Sequence, residues 1–419
     1  MKNSLKFLKT AGPELQHKIN KSIIFHYLRE NSPISRAAIS KELKISAPAV
    51  SRVIEKLILE GFVLEKEKQE TKSGKRPTLL EINKHKGLVL GIDLGTEKIT
   101  VAVMNYKGDI IRKYFGDKIN DSSEIQEKIL DEISMVLEDC KNNKLGLEIN
   151  PKINAICIAI PADVDPVTGK ITGAPLYGSW KDLNLKEIIK SSFDIPVYIE
   201  NNVNLAVWGE KKSGLGKNYN SLAFIEVSNG VAAGIIIDNS LHRGENGYSG
   251  EIGFTIIGSE NLGFEIKNKG FLEKTASITS IHKRILESLK PTEKSMILGL
   301  AGNDYGKITP ALICEAAIKK DIIASEAINN SVKFLSIAII NLILILNPQI
   351  IVMGGYICNL PFVNELFIEP IKAYVKKSIP FGMPGIELSN LGDEAGIIGA
   401  CYMAMESVLT NEFPYKIDA

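Results

Sequence analysis

Leu88-Val-Leu-Gly-Ile-Asp93-Leu-Gly95-Thr96-Glu97-Lys98 is the stretch whose reading decides the fold. A leucine-rich and β-branched run ends in Asp93, turns at Gly95 and resumes as Ile99-Thr-Val-Ala-Val-Met104. The pattern predicts a strand, a tight turn and a second strand, with glycine where the backbone bends sharply. An aspartate at such a strand end, beside a glycine turn, suits a phosphate or a metal-nucleotide. The same turn, however, carries the anion Glu97. This stretch also divides the chain. Residues 1–86 hold 18 Lys and Arg against 9 Asp and Glu, whereas the remainder holds 32 against 40. A basic head on an acidic body points to a polyanion partner for the head alone.

At 419 residues, two or three domains are expected. The apolar fraction of 45% and charged fraction of 24% are those of a globular protein. Phe334 to Leu346 is the longest uncharged apolar run and is too short to span a bilayer. Met1 to Thr10 lacks the apolar core of a secretion signal. Cys140, Cys157, Cys314, Cys358 and Cys401 show no paired spacing, which suits a reducing cytoplasm and argues against a disulfide framework or a zinc knuckle. The expected location is cytoplasmic, with no membrane partner.

In the head, Ile23, Ile24, Tyr27 and Leu28 recur at helical spacing from Asn20 to Leu28, and Asn31-Ser-Pro33 ends that helix. Ser35 is placed to cap a second helix, Arg36 to Leu43. Lys44-Ile45 is the turn, and Ser46 is placed to cap a third helix carrying Val50, Val53, Ile54, Leu57 and Ile58. Gly61 closes it. Phe62 to Glu65 and Thr78 to Ile82 read as a two-stranded wing around the polar tip 68–77. Three helices and a hairpin make a winged helix-turn-helix, whose third helix enters the DNA major groove. Candidate DNA contacts are Ser35, Arg36, Ser46, Ala47, Pro48, Ser51 and Arg52, the last able to reach a guanine edge. Lys72, Lys75 and Arg76 at the wing tip would meet phosphates, which position a protein without specifying sequence.

Beyond residue 87, strands and helices alternate: a helix Glu124 to Lys141, strands at 153–160, 196–200, 222–227, 233–237 and 349–353, and helices at 205–214 and 327–347. The body is therefore α/β. Gly392-Asp-Glu-Ala-Gly396 starts a final helix in which Gly399 and Ala400 are small packing residues.

Together these pieces resemble the ROK family, which groups bacterial sugar kinases and sugar-responsive repressors on a two-lobed, actin-like fold. The segments that carry the resemblance are Gly91-Ile-Asp-Leu-Gly95, Glu200-Asn201-Asn202-Val203-Asn204, Gly244 to Gly253, Gly270-Phe-Leu-Glu273, Ile351-Val-Met-Gly-Gly355 and Leu391 to Gly396. In the head, Gly74-Lys-Arg-Pro77 is similar to the wing end of the repressor branch. The resemblance implies a winged helix-turn-helix at 1–86, a smaller α/β lobe from 87–199 plus 393–419, and a larger α/β lobe at 200–392. It also implies sugar-binding roles for Asn201, Asn202, Glu251 and Glu273. Glu200, Asn204 and Glu210 are equally open to a structural role, and Trp180 is expected to pack near the cleft entrance.

The departures are as informative. Asp93, Gly95 and Thr96, with Ser228-Asn229-Gly230, correspond to the family's two phosphate loops in degenerate form. Glu97 would oppose a phosphate, since like charges about 4 Å apart repel by several kcal/mol at intermediate dielectric. Asn202 stands where the family's kinases have the aspartate that acts as general base, a loss that typically costs about 10²–10⁴-fold. No catalytic residue is therefore assigned, and ATP is not expected as a cofactor. The family's zinc histidine is replaced by Phe254, and Gly263 to Phe271 lacks cysteine, so no zinc is expected. Phe254, Phe264 and Phe271 are expected to hold that loop by apolar packing instead. The preferred reading is a sugar-responsive transcriptional regulator, most simply a repressor, that binds operator DNA as a homodimer or tetramer. An active sugar kinase carrying a DNA-binding head is the alternative, and a regulator with an unused cleft is a third. Xylose and glucose types are both open as effector.

Overall fold

The computed structural model describes residues 12–66, 77–95, 98–119, 124–147, 152–165, 168–173, 180, 183–266, 269–289 and 295–413. The head contains helices Pro13–Asn31, Arg36–Leu43 and Ala47–Leu59. The first begins seven residues before the predicted Asn20, because Pro13 fits a first helical turn where no N–H donor is required. Ile24, Phe25, Leu28, Ile39, Val50, Val53, Ile54 and Leu57 are buried, so the 3.6-residue spacing read from sequence does face a core. Lys44, at φ 55°, ends the second helix in the left-handed region, and Gly61, at φ +78°, turns the chain into the wing.

The wing has three strands, where the sequence predicted two. β1 (Ile34–Ser35) pairs with β3 (Leu79–Ile82), which pairs with β2 (Val63–Lys66), all antiparallel. A two-residue strand has no periodicity to detect, and only its pairing with β3 defines it.

In the next lobe, β4 (Leu88–Leu94), β5 (Ile99–Asn105), β6 (Ile110–Gly116) and β7 (Ile153–Ile160) are followed by a short hairpin of β8 (Asp163–Val164) and β9 (Ile171–Gly173), then by β10 (Val197–Asn201). The sheet order is β10-β7-β4-β5-β6. β4 to β6 form an antiparallel meander, and β7 and β10 run parallel to β4. The second lobe repeats this plan. β11 (Leu222–Val227), β12 (Val231–Ile237), β13 (Ser240–Leu241), β14 (Ile350–Gly354) and β15 (Gly385–Leu388) lie in the order β13-β12-β11-β14-β15.

Two helices join the lobes. Asn202–Ser213 packs on β11 and β12, Ala395–Glu412 packs on β4 and β7, and the two helices pack on each other. Glycine allows that closeness: a Cβ on Gly399 would lie 1.8 Å from the Leu205 carbonyl oxygen, and one on Gly209 would lie 2.2 Å from that of Ala395. The helix Ile322–Leu346 is long and apolar enough, by length and composition, to cross a membrane. In this fold Val332, Leu335, Ile339, Leu342 and Ile343 on one of its faces are buried in the core of the second lobe.

The head is continuous with the first lobe. Phe413, just beyond the last helix, is fully buried, and its ring stacks on that of Phe25 at 3.9 Å and 10°. It meets Phe62 edge-on at 5.0 Å, and its carbonyl lies 3.1 Å from His26 Nε2. Beside it, Glu406 receives Lys212 Nζ at 2.6 Å and Arg29 at 3.7 Å. One carboxylate thereby ties the first head helix to both interlobe helices.

Candidate functional site

Between the lobes lies a cleft of about 640 Å³. The predicted hydroxyl-binding residues Asn201, Asn202, Glu251 and Glu273 all line it, as do Asp93, Gly95, Ser228, Asn229 and Gly230. The four hydroxyl-binding candidates are not equally free to bind. β10 ends at Asn201, whose Oδ1 accepts from the N–H groups of Val203 (2.8 Å) and Asn204 (3.2 Å), while its Nδ2 donates to the Ala162 carbonyl at 3.2 Å. Asn201 is thus the N-cap of the interlobe helix, with one amide hydrogen left for a ligand. Glu273 is similarly engaged: Oε2 accepts from Gly270 N–H at 2.8 Å and Oε1 from Val231 N–H at 3.4 Å.

Asn202, the first residue of that helix, donates Nδ2 to Glu226 Oε2 at 3.4 Å, which leaves Oδ1 for the cleft. Glu251 precedes a short 3₁₀ turn, and among the described residues its carboxylate has no hydrogen-bond partner. Burial, then the charges of Asp163 and Glu273, push it up to about 7. Glu200 and Glu210 prove structural. Glu200 accepts from Asn204 Nδ2 and Arg243, and Glu210 from Ser389 and the Leu215 N–H. Trp180 is 1% exposed inside the first lobe and forms no wall of the cleft.

The other half of the cleft is where the family's phosphates would sit. Asp93, at the end of β4, is pushed up to about 7 by burial and then by the charges of Glu226 and Asp393. Glu226 is raised in turn, by burial and by Asp393. Ser228 Oγ is occupied by the Tyr356 N–H at 2.9 Å, and the Asn229 carbonyl is held by Lys269 and by Thr279 Oγ1. Three carboxylates and a filled serine do not fit a nucleotide phosphate. Thr96 and Glu97 lie outside the described residues. Nor does the zinc position fit a metal: residue 254 is phenylalanine, and among the described residues no three His, Cys, Asp or Glu side chains gather as a metal would need. Phe264 and Phe271 do meet, edge to face at 5.5 Å, joined by Phe334. Phe254 lines the cleft, and its 3₁₀ turn packs on the helix that begins at Phe271.

Sequence reading missed Asp163, Glu226 and Lys269. Glu226 is the one charged residue in the six-residue strand Leu222–Val227, which was a usable signal. Nothing in sequence announced Asp163, because it enters the cleft only through the β8–β9 hairpin.

On the head, Ser46, Ala47, Pro48 and Arg52 are exposed along the start of the third helix, and Ser51 is half-buried. Ser46 holds the N-cap position, but its side chain makes no cap hydrogen bond. Ser35 does cap: its Oγ accepts from Ala38 N–H at 3.2 Å. Arg36 is paired with Glu65 of β2 at 2.7 Å. Those two residues therefore build the helix-to-wing frame. Lys72, Lys75 and Arg76 lie outside the described residues.

Comparison with known proteins agrees with this architecture. The family described as ROK family matches residues 89–407, and a winged helix-turn-helix DNA-binding family matches residues 18–63. A xylose repressor of Caldicellulosiruptor bescii is 32% identical over 94% of this chain and 98% of its own length. One of Bacillus spizizenii is 30% identical over 94% and 96%. Among solved structures, a ROK family transcriptional regulator homologous to the E. coli MLC protein superposes with a TM-score of 0.78 at 24% identity, covering 95% of this chain and 97% of that one. A ROK family glucokinase from Streptomyces griseus, in complex with glucose and AMPPNP, superposes at 0.64 and 24%, covering 76% of this chain and all of its own.

Proposed function

The chain belongs to the ROK family, and from that premise we propose that it is a sugar-responsive, DNA-binding transcriptional repressor whose kinase-like cleft senses rather than phosphorylates. The observation that carries the reading is the contrast within one cleft. Asn202 and Glu251 keep hydroxyl-reading groups free, while Asp93, Glu226 and Asp393 crowd the phosphate half with carboxyl groups. Asn202 cannot take a hydroxyl proton, so the position that carries the general base in the family's kinases lacks one here. Neither zinc nor ATP is part of the working protein. The effector is an unphosphorylated sugar, with xylose the first candidate because the curated relatives carry that name.

A winged helix reads one half-site, so the operator-bound form is a homodimer or a larger even assembly, acting in the cytoplasm. Arg52 and the exposed start of the third helix face the bases. Sugar draws the lobes together. The interlobe helix that begins at Asn202 then carries that movement through Lys212, Glu406 and Arg29 to the head. Titrating D-xylose, D-glucose and other sugars into the protein–operator complex tests this: one sugar should release the DNA and raise the melting temperature. If none changes either, the sensing role fails, and turnover of ATP with any sugar would restore the kinase alternative.

A further inference from the structure

Asp163 has no part in the family resemblance set out above, yet it stands in the cleft. The β8–β9 hairpin carries it from the first lobe into the same space that Glu251 enters from the second. Its position is built. Gly173 pairs with it across the hairpin, and a Cβ there would lie 2.5 Å from Asp163 Oδ2, so a side chain at residue 173 would push the carboxylate from its place. Among the described residues no hydrogen bond or ion pair takes up either carboxylate. Asp163 and Glu251 are thus an unsatisfied acceptor pair, one from each lobe, close enough for the charge of Asp163 to act on Glu251.

We propose that Asp163 is a specificity-determining residue of the effector cleft: with Glu251 it grips, from the opposite lobe, hydroxyl donors of a neutral sugar and rejects ligands with a carboxylate or phosphate at that end. The proposal rests on the sensing role proposed above. An ionised carboxylate has only acceptors, so two of them lining one space select a ligand with a donor for each, as a sugar with several hydroxyls supplies. Without ligand the two carboxylates repel across the gap wherever both are ionised. A bound sugar replaces that repulsion with hydrogen bonds to both lobes, which gives closure a driving force. The groups facing Glu251 are Asp163 and Glu273, and Lys269 in turn faces Glu273. Both members of the pair are held above the usual carboxylate range, Asp163 by burial and Glu251 by burial and its two acidic neighbours.

Hydroxyl donors favour the ionised carboxylates, so sugar affinity should be full above about pH 7 and decline below it as Glu251 takes up a proton. Calorimetric titration of the full chain with D-xylose, D-glucose and D-glucuronate, from pH 5.5 to 8.5, tests this. Wild type should bind a neutral sugar and exclude D-glucuronate. Asp163→Ala should lose about tenfold or more in affinity for that sugar. Asp163→Asn, which keeps size but removes charge, should move the pH midpoint downward and admit D-glucuronate. Gly173→Ala, which crowds the carboxylate without altering it, should weaken binding as well. If wild type binds a sugar while the Asp163 variants match it in affinity, midpoint and exclusion of D-glucuronate, this inference alone is overturned. If wild type binds none of the panel, both it and the sensing role fall.

Discussion

Replacing Phe413 with alanine should loosen the DNA-binding head from the body while leaving each fold intact. The ring is fully buried, stacked on Phe25 at 3.9 Å and edge-on to Phe62 at 5.0 Å, with Lys21 Nζ 5.1 Å above its centroid. Truncating a buried phenylalanine costs about 3–5 kcal/mol. The backbone contact of residue 413 with His26 survives the change, so the lower end, about 3 kcal/mol, is the safer figure. At about 1.4 kcal/mol per factor of ten, the docked state weakens by roughly two orders of magnitude. Hydrogen exchange in the Pro13–Asn31 helix should accelerate, and the melting transition of the head should fall by at least about 10 °C. The sugar-dependent change in operator affinity should shrink with it, since the head no longer follows the interlobe helices. Phe413→Leu should lie between the two. A Phe413→Ala protein whose head exchanges, melts and responds to sugar as wild type does would refute the claim that this ring couples head to body.

Glu406→Gln leaves Arg29 and Lys212 facing an uncharged amide at a site about 10% exposed, and breaking such a pair costs about 3 kcal/mol or more. Thermal unfolding should register that loss, and the sugar response should weaken more than sugar binding does. Glu251, raised to about 7, prefers to be protonated in the folded chain. Its contribution to stability is full below about pH 4.5 and is lost as pH rises through 7, a change of about 3 kcal/mol by pH 8. Glu251→Gln should therefore raise the sugar-free melting temperature at pH 8, leave it unchanged near pH 4.5 and abolish the response to sugar. Asp93→Asn should stabilise at pH 8 for the same reason, without loss of sugar binding. Arg52→Ala should cost about 1–3 kcal/mol of operator affinity and relax preference at one base position, as band-shift assays on operator variants would reveal.

Local chemistry was enough to determine much of this protein. The three head helices, the β4–β5 hairpin and the alternation of the body follow from apolar spacing and turn residues, signals that each lie within a dozen residues. Asn202 in place of a carboxylate is likewise a fact of sequence, and it bears on catalysis whatever the packing. Tertiary structure decided which of the polar groups are free. Asn201 and Glu273 looked equivalent to Asn202 and Glu251 as side chains, but folding spends them on helix N-termini. It also brought Asp163, Glu226 and Asp393 into one cleft from separate elements, and placed Phe413 against Phe25 across most of the chain. Those relations join residues far apart in the chain, which no periodicity encodes. The stretch from Leu88 to Lys98 thus declared the fold, and the partners that fold supplied to Asp93 set it among carboxylates where a nucleotide would need donors.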